Sequence, residues 1–382
     1  MMNKRKIIGD ALAQLVEQAR TGGPKVRVGL MAAGSELGAE ELLRGAVLAS
    51  AQDPRLQVVA IGTKVPGYDS LEWIELPNCE ADIATAMESA LADGRISGAV
   101  ALHYPFPLGV TTIGRVITPA RGKPLLIASS TGMSAMSRTE AMLRNALYGI
   151  AVAKALGMEK PTVGILNLDG AASVQRALVR LSEGGYAIHF GSSVRVDGGS
   201  LLRGNDLLAG ATDVCVCDTL TGNVLMKLFS AFSTGGSYEA LGWGYGPSVG
   251  EKWGKIVGII SRASGAPVIA NALCYTASLI RGKLVDCVQS ELAAAKAAGL
   301  DQIISSIAAT SVREEEMSAP PQQPTDSEIP GVDVLSIEAA VKELWKAGIY
   351  AESAMGCTGP VVKVPGNLLA RSKEVLGKTG HL

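Results

Sequence analysis

The sequence is short of aromatic residues, histidine and net charge, and each shortage narrows the class of protein it can encode. Lys and Arg number 35 against 36 Asp and Glu, so the formal net charge is -1. Such a balance gives the chain no overall attraction to nucleic acid or to an anionic membrane surface. Any site for an anion must therefore be built locally, from a few residues.

Long apolar runs are missing as well. No run reaches the roughly 18 residues that a membrane-spanning helix needs. The first residues are not followed by the apolar segment of a signal peptide. We therefore expect a cytoplasmic protein that binds neither a membrane nor nucleic acid.

Cysteines with metal-ligand spacing are also absent. The six cysteines lie at positions 79, 215, 217, 274, 287 and 357, without a Cys-x-x-Cys pair and without neighbouring histidines. This spacing argues against a zinc cluster and against the disulfide framework of a small secreted protein. We expect no metal, and we expect most of these thiols to be reduced and in the core.

What the sequence has in quantity is glycine, with 45 residues, and a regular alternation of apolar segments. Strand-like runs such as KVRVGLMA, LQVVAIG and ISGAVALH alternate with helix-like runs such as ELGAEELLRGAVLAS and ADIATAMESALADG. This alternation is typical of a parallel sheet with crossover helices. We predict an α/β fold with a doubly wound, mostly parallel sheet and helices on both faces.

The chain is predicted to have four parts. Residues 1–22 form an N-terminal helix with Leu12, Leu15 and Val16 on one apolar face, and residues 23–310 form the α/β core. Residues 311–334 combine charge, proline and glutamine without periodicity, which indicates a linker. Residues 335–382 form a C-terminal segment that contains Cys357.

The loop after one apolar strand is the first candidate for an anion site. The strand ends at Asp218 and a helix begins near Gly222. Hydroxyl, amide and backbone N–H groups at a helix N-terminus can hold phosphate, and Lys227, one turn further on, can add a full positive charge. The residues that would hold the phosphate are Thr219, Thr221, Gly222 and Asn223. The alternative is that Thr221 only caps the helix and that Lys227 is solvated.

The segment GCTGP, residues 356–360, is the second candidate. Small neighbours around Cys357 leave backbone N–H groups free to point at its sulfur, which would lower the pKa of the thiol and let a large partner approach. Of the six cysteines this one is the best placed for nucleophilic catalysis. The alternative is a structural turn in which the cysteine is incidental.

His103 and a loop near residue 205 complete the candidates. His103 follows a predicted strand, so it can act as a general base at the carboxyl end of the sheet; a histidine that hydrogen-bonds a neighbouring loop is the alternative. Arg203 and Asp206 lie in VDGGSLLRGNDLL. The planar guanidinium of Arg203 suits phosphate or a carboxylate, whereas an aspartate here can also be a cap. We predict that both contact the substrate.

Several long motifs resemble a known family. DTLTGNVLMKLFSAFSTGGSYEALGWGYGPSVGE, with VRVDGGSLLRGNDLLAG before it and AMGCTGPVVKV after it, resembles the component C alpha subunits of glycine, sarcosine and betaine reductases. VCDTLTGNVLMK is more distantly similar to the phosphate acyltransferases of phospholipid synthesis, whose fold resembles phosphate acetyltransferases and isocitrate dehydrogenases. Where that enzyme begins with Asp-Ala-Met-Gly-Gly-Asp, this chain has MAAGSE at residues 31–36, so the details of that enzyme's substrate are not carried over.

The resemblance implies a reaction and partners. A two-carbon unit from the selenoprotein of the complex would become an acetyl thioester on Cys357, which inorganic phosphate would cleave to acetyl phosphate in anaerobic amino-acid fermentation. It also implies a ketoacyl-synthase-like component C beta subunit as a partner, an oligomer, and no cofactor. Two alternatives stay open: a free-standing phosphate acyltransferase that uses CoA or acyl carrier protein thioesters, and a non-catalytic scaffold for a thiolase-like partner. A nicotinamide dehydrogenase is disfavoured, because no Gly-x-Gly-x-x-Gly turn follows the first strands.

Overall fold

The computed structural model describes residues 22–76, 80–196, 198–315, 319–332, 336–356 and 359–382, together with six positions between 9 and 19. It divides into two compact units, Met1–Ile304 and Ser305–Leu382. The described positions between 9 and 19 are helical, and Leu12, Leu15 and Val16 are exposed. The boundaries of the predicted linker stay a prediction.

The first unit contains one sheet and the helices that cover it. The strands are β1 (Val26–Met31), β2 (Leu56–Gly62), β3 (Glu72–Glu75), β4 (Gly98–Ala101), β5 (Val110–Ile117), β6 (Pro124–Met133), β7 (Thr162–Leu166), β8 (His189–Phe190), β9 (Leu201–Leu202), β10 (Val214–Val216), β11 (Gly246–Gly250) and β12 (Val257–Ile259). The helices are α1 (Ala39–Gln52), α2 (Glu80–Ala92), α3 (Arg138–Ala155), α4 (Ala171–Glu183), α5 (Gly204–Ala209), α6 (Thr219–Ala231), α7 (Ala266–Arg281), α8 (Leu284–Ala297) and α9 (Leu300–Glu315), which runs into the second unit.

The sheet has two parallel halves joined by antiparallel strands. Its order is β3-β2-β1-β4-β12-β11-β5-β6-β10-β7-β8, with β9 also paired to β7. The ladders on either side of β11 and between β5 and β6 are antiparallel, and the remaining ladders are parallel. The predicted α/β class is therefore confirmed. The two antiparallel strands at the join were not predicted.

Burial explains why most of the strands could be recognised. Strand β4 is buried at every position, β2 at six of its seven and β1 at four of its six, as in a parallel sheet covered by helices. Helix α7 packs on β1 and β4, and α3 packs on β6 and β10. The glycine and proline of β11 carry little strand propensity, so this strand forms because its neighbours pair with it.

The second unit is a small sheet with two helices. Strands β13 (Ser327–Pro330), β14 (Glu352–Gly356) and β15 (Gly359–Val364) form an antiparallel sheet in the order β13-β15-β14. Helices α10 (Ile337–Lys346) and α11 (Leu369–Lys378) pack on it. Gly356 pairs with Gly359. Cys357, the predicted nucleophile, lies outside the described residues.

We also searched the described residues for helices that could cross a membrane. No single helix among them is both long and apolar enough. Helices α7 and α8 meet at an angle of 60° and satisfy the length and composition requirement only as a pair.

Candidate functional site

A polar pocket of ≈ 310 Å³ lies between helix α6 and the loop that follows β4. Two of the predicted site residues on α6 and the predicted histidine line it together. The polar side chains in its wall are those of His103, Tyr104, Thr131, Asn223, Lys227, Tyr245 and Ser261.

Neighbouring strands and one helix face bring these side chains together. Strands β4 and β12 are parallel and pair Ala101 with Ile259, so the carboxyl ends of the two strands lie next to each other. His103 comes two residues after β4, and Ser261 two residues after β12. Asn223 and Lys227 are four residues apart on α6 and therefore share one face of that helix. The carboxyl ends of parallel strands are where ligands bind in open α/β sheets.

An ion pair fixes Lys227 in the wall of this pocket. Its Nζ donates to the carboxylate of Glu239 and, at 2.8 Å, to Ser261 Oγ. The Glu239 side chain is 1% exposed, whereas the Lys227 side chain is 48% exposed. Glu239 also accepts hydrogen bonds from Tyr245 Oη at 3.2 Å and Ser264 Oγ at 3.3 Å. The buried carboxylate thus holds the ammonium at the boundary between the core and the pocket.

This arrangement changes the expected contribution of Lys227. The sequence predicted that it adds a full positive charge to the site, but the ammonium already compensates the buried carboxylate of Glu239. Two of its three N–H groups donate to Glu239 and Ser261, so one remains for a ligand. Burial and the nearby Glu239 carboxylate raise the pKa of Tyr245. Tyr245 therefore stays a neutral hydrogen-bond donor.

The first turn of α6, which was predicted to hold phosphate, is occupied by other contacts. Asp218 caps the helix and accepts hydrogen bonds from the backbone N–H of Thr221 at 3.1 Å and from Thr221 Oγ1 at 2.8 Å. Thr219 Oγ1 is 3.1 Å from Ser129 Oγ on β6. A carboxylate at the helix N-terminus takes the place of an anionic ligand and repels one. The geometry does not favour this turn as the anion site, and its role in phosphate binding stays a prediction.

Gly222 serves the contact between α6 and β6. A Cβ at this position would lie 1.7 Å from the carbonyl oxygen of Ser129, so no other residue fits without a backbone shift. One position on, Asn223 Nδ2 donates to the carbonyl oxygen of Ser130 at 3.1 Å. Gly222 therefore brings the helix close to the strand, which positions Asn223 and Lys227 at the pocket.

The contacts of Asp206 indicate that it stabilises the fold. Its carboxylate accepts hydrogen bonds from the backbone N–H groups of Val194 and Arg203, both at 2.7 Å, and from the Ser193 hydroxyl. Burial by itself raises the pKa of Asp206, but these hydrogen bonds outweigh it and lower that pKa below its ordinary value. Asp206 is 1% exposed and these three donors enclose its carboxylate, so its predicted substrate contact finds no support in the geometry.

Arg203 precedes α5, and its side chain is exposed. Among the described residues that line the polar pocket, neither Arg203 nor Asp206 occurs. The prediction that the two contact substrate together with Lys227 therefore stays untested. Asp197, from the same loop, lies outside the described residues.

An aromatic cluster supports the loop that carries His103. Tyr104 stacks at 4.8 Å from Phe106, and both rings lie 5.9 Å from Trp253 in edge-on contacts. Tyr104 Oη donates to the carboxylate of Glu88, which also accepts from Lys255 Nζ. These contacts hold the loop after β4 in place, and with it the exposed side chain of His103.

The cysteines that the structure describes are poor nucleophiles. Burial raises the pKa of Cys215 to about 12 and that of Cys274 to about 11. Burial also raises the pKa of Cys217 and of Cys287. All four thiols therefore stay protonated at neutral pH. Within the same described part of the chain, no three His, Cys, Asp or Glu side chains are grouped so that they could hold a metal ion.

Glu239, which pairs with Lys227, was not predicted from the sequence. The same is true of the polar lining residues Tyr104, Thr131, Tyr245 and Ser261. Glu239 and Tyr245 lie in the glycine-rich segment after α6, in which no site residue was predicted. The signal was a single acidic residue in an otherwise uncharged stretch between Lys227 and Glu251. Ser261 could have been found by applying to β12 the strand-end rule that identified His103.

The chain is similar in sequence to several known proteins. The family model described as "Fatty acid synthesis protein" matches residues 26–363. The chain is 48% identical to the glycine/sarcosine/betaine reductase complex component C subunit alpha of Peptoclostridium acidaminophilum, over 100% of this chain and 99% of that protein. It is 26% identical to the phosphate acyltransferase of Thermotoga petrophila, over 53% of this chain and 67% of that protein. A branched-chain phosphotransacylase from Enterococcus faecalis V583 superimposes with a TM-score of 0.46 and 18% identity, over 67% of this chain and 99% of that one.

Proposed function

Because the chain belongs to the family of component C alpha subunits of the glycine/sarcosine/betaine reductase complex, which is related to phosphate acyltransferases, we propose that it transfers an acetyl group from a thioester to inorganic phosphate. The product would be acetyl phosphate. The observation that carries the proposal is the polar pocket in which His103, Asn223 and Lys227 converge.

In the proposed reaction a phosphate oxygen attacks the thioester carbonyl. The new bond joins the carbonyl carbon to this oxygen, and the bond to sulfur breaks. The proton of the phosphate hydroxyl ends on the released thiolate, so no oxidant or reductant is needed. This reaction requires a polar pocket that binds phosphate and a side chain that transfers one proton.

The residues of the pocket meet these requirements. The remaining N–H of Lys227 would donate to a phosphate oxygen in a charge-assisted hydrogen bond. Asn223 and Ser261 would contribute further polar contacts to the anion. His103, in the opposite wall, would accept the phosphate proton and deliver it to the leaving sulfur. Glu239 would act through Lys227 by fixing the position of its ammonium.

Cys357 is the proposed carrier of the acetyl group. Support comes from the raised pKa values of the four cysteines that the structure describes, which make them unsuitable as nucleophiles. The glycines on either side of the Cys357-Thr358 pair leave space for a partner protein. We propose further that the acetyl group arrives through a ketoacyl-synthase-like beta subunit and a selenoprotein, that the assembly is cytoplasmic, and that the chain itself needs no cofactor.

Mass spectrometry of the intact protein tests the carrier. After incubation with acetyl phosphate, the wild-type chain should gain the mass of one acetyl group, and Cys357→Ala should not. Cys287→Ala is the matched control and should still be acetylated, because burial raises the pKa of Cys287. Acetylation that persists in Cys357→Ala rules out this assignment.

Exchange of isotopically labelled phosphate into acetyl phosphate tests the activity itself. Exchange that requires added coenzyme A, and that Cys357→Ala leaves intact, would favour a free-standing phosphate acyltransferase. A pure chain that shows neither acetylation nor exchange would instead be a scaffold for its partner.

A further inference from the structure

A second pocket of ≈ 560 Å³ lies beside the polar pocket. Helix α2 contributes Ala81, Ala84 and Thr85 to its wall, and β1 contributes Met31 at its carboxyl end. Four of the eight described residues that line this second pocket are apolar, namely Met31, Ala81, Ala84 and Pro105, and we call it the apolar pocket.

The two pockets share part of their walls. His103 and Tyr104 line both of them. Tyr104 cannot easily move aside, because its hydroxyl donates to Glu88 and its ring stacks on Phe106. A ligand that spans the pockets would therefore pass His103, the residue proposed to move the proton.

The charges around the apolar pocket do not suit an anion. Of the described residues that line it, none is Lys or Arg, and Glu88 is the acidic one. Burial by itself raises the pKa of Glu88, but hydrogen bonds from Lys255 and Tyr104 outweigh it and lower that pKa. The Glu88 carboxylate is therefore charged and already paired. A phosphate or carboxylate would be repelled here, whereas a hydrocarbon chain would be accommodated.

The size of the apolar pocket exceeds what an acetyl group needs. Two carbons and one oxygen fill the space of two or three water molecules, about 60 to 90 Å³. A chain of about four to eight carbons would fill about 120 to 240 Å³ on the same scale. The pocket, at ≈ 560 Å³, has room for the longer chain.

We propose that the apolar pocket binds the hydrocarbon part of the acyl group, so that the chain accepts acyl groups longer than acetyl. This inference rests on the proposed acyl transfer to phosphate and extends it to a class of substrate. The acyl carbonyl lies at His103, the phosphate in the polar pocket, and the hydrocarbon chain against α2. The bonds formed and broken are those of the acetyl reaction.

Phosphate exchange with acyl phosphates of increasing length, from acetyl to octanoyl, tests this. Each added methylene that becomes buried should lower the KM about fourfold until the pocket is filled. Ala84→Phe should fill the pocket and raise the KM for octanoyl phosphate more than about tenfold. The KM for acetyl phosphate and for phosphate should stay unchanged. Ala92→Phe is the matched control, because Ala92 is exposed on the same helix and does not line the pocket.

The outcomes separate the inference from the function on which it rests. Absence of exchange with every acyl phosphate would contradict the proposed function. Exchange with acetyl phosphate alone, or a loss in Ala84→Phe that is equal for all chain lengths, would overturn only the longer-chain proposal. If Ala84→Phe does not fold, Ala81→Phe at the exposed rim provides the same test.

Discussion

The first turn of helix α6 and the two turns that follow it both carry polar residues, but the environments of these residues differ. In the first turn, Thr219 contacts Ser129, and Thr221 contacts the Asp218 carboxylate. In the two turns that follow, Asn223 and Lys227 line an open pocket. A helix N-terminus binds an anion only when its N–H groups are free, and here a carboxylate from the chain itself already occupies it.

A second comparison is between the buried carboxylates of Asp206, on helix α5, and Glu239. Asp206 and Glu239 are both carboxylates that are 1% exposed. The hydrogen bonds of Asp206 come from the backbone N–H groups of Val194 and Arg203 and from Ser193, and they enclose its carboxylate. The partner of Glu239, in contrast, is a half-exposed lysine with one donor left. The cluster of Glu239 therefore keeps a donor that can reach a ligand, whereas the carboxylate of Asp206 is enclosed by internal donors.

Among the substitutions, Lys227→Met should have the largest effect on phosphate binding and stability. The KM for phosphate should rise about 10- to 100-fold, because a charge-assisted hydrogen bond contributes about 1.5–3 kcal/mol. The free energy of unfolding should fall by about 2 kcal/mol, because Glu239 loses its cationic partner while Lys227 itself is only half buried. Phosphate-exchange kinetics and urea unfolding measure the two effects.

A double variant separates these two roles of Lys227. Lys227→Met combined with Glu239→Gln removes the uncompensated buried charge, so it should recover most of the lost stability and none of the phosphate affinity. A KM for phosphate that stays at the wild-type value in Lys227→Met would remove this residue from the site.

Asp206→Asn should have a smaller effect, and only on stability. We expect the free energy of unfolding at neutral pH to fall by about 2 kcal/mol, because an amide cannot accept all the hydrogen bonds that the carboxylate accepts. The KM for phosphate should not change, since Asp206 does not line the polar pocket. A raised KM together with unchanged stability would place Asp206 at the substrate.

The difference in the free energy of unfolding between wild type and Asp206→Asn should depend on pH. The folded-state pKa of Asp206 is lowered, so the ionised carboxylate stabilises the fold at pH values above the ordinary aspartate pKa of about 3.9. This stabilisation is lost as the pH falls through the folded-state pKa. The gap between wild type and variant should therefore be full at neutral pH and close below about pH 4. A stability difference that does not change with pH would rule out the ionised Asp206 carboxylate as its cause.

Thr221→Val should have the smallest effect. It removes the hydrogen bond from Thr221 Oγ1 to Asp218 and leaves the backbone N–H bond intact, so the free energy of unfolding should fall by about 1 kcal/mol or less. We expect the KM for phosphate to be unchanged. If it instead rises as much as in Lys227→Met, the first turn of α6 binds phosphate and the comparison between this turn and the two that follow fails.

Several parts of the fold and site could be predicted because their signals are local. The apolar run in β4 reflects burial on both faces, and His103 follows that strand in the sequence. The spacing of Asn223 and Lys227 fixes them on one helix face. Strand β11, by contrast, has the sequence GPSVG and resembles a loop, and only its partners β5 and β12 make it a strand.

By itself, the sequence determined the α/β class and the individual polar residues that face solvent at strand ends, because hydrophobic periodicity and strand-end position are properties of neighbouring residues. Only the tertiary structure decided which of these residues share a pocket. The pairing of β4 with β12 and the contact of Lys227 with Glu239 join segments that are apart in the chain. Whether a polar group is saturated or free depends on such long-range contacts, and no local pattern encodes them.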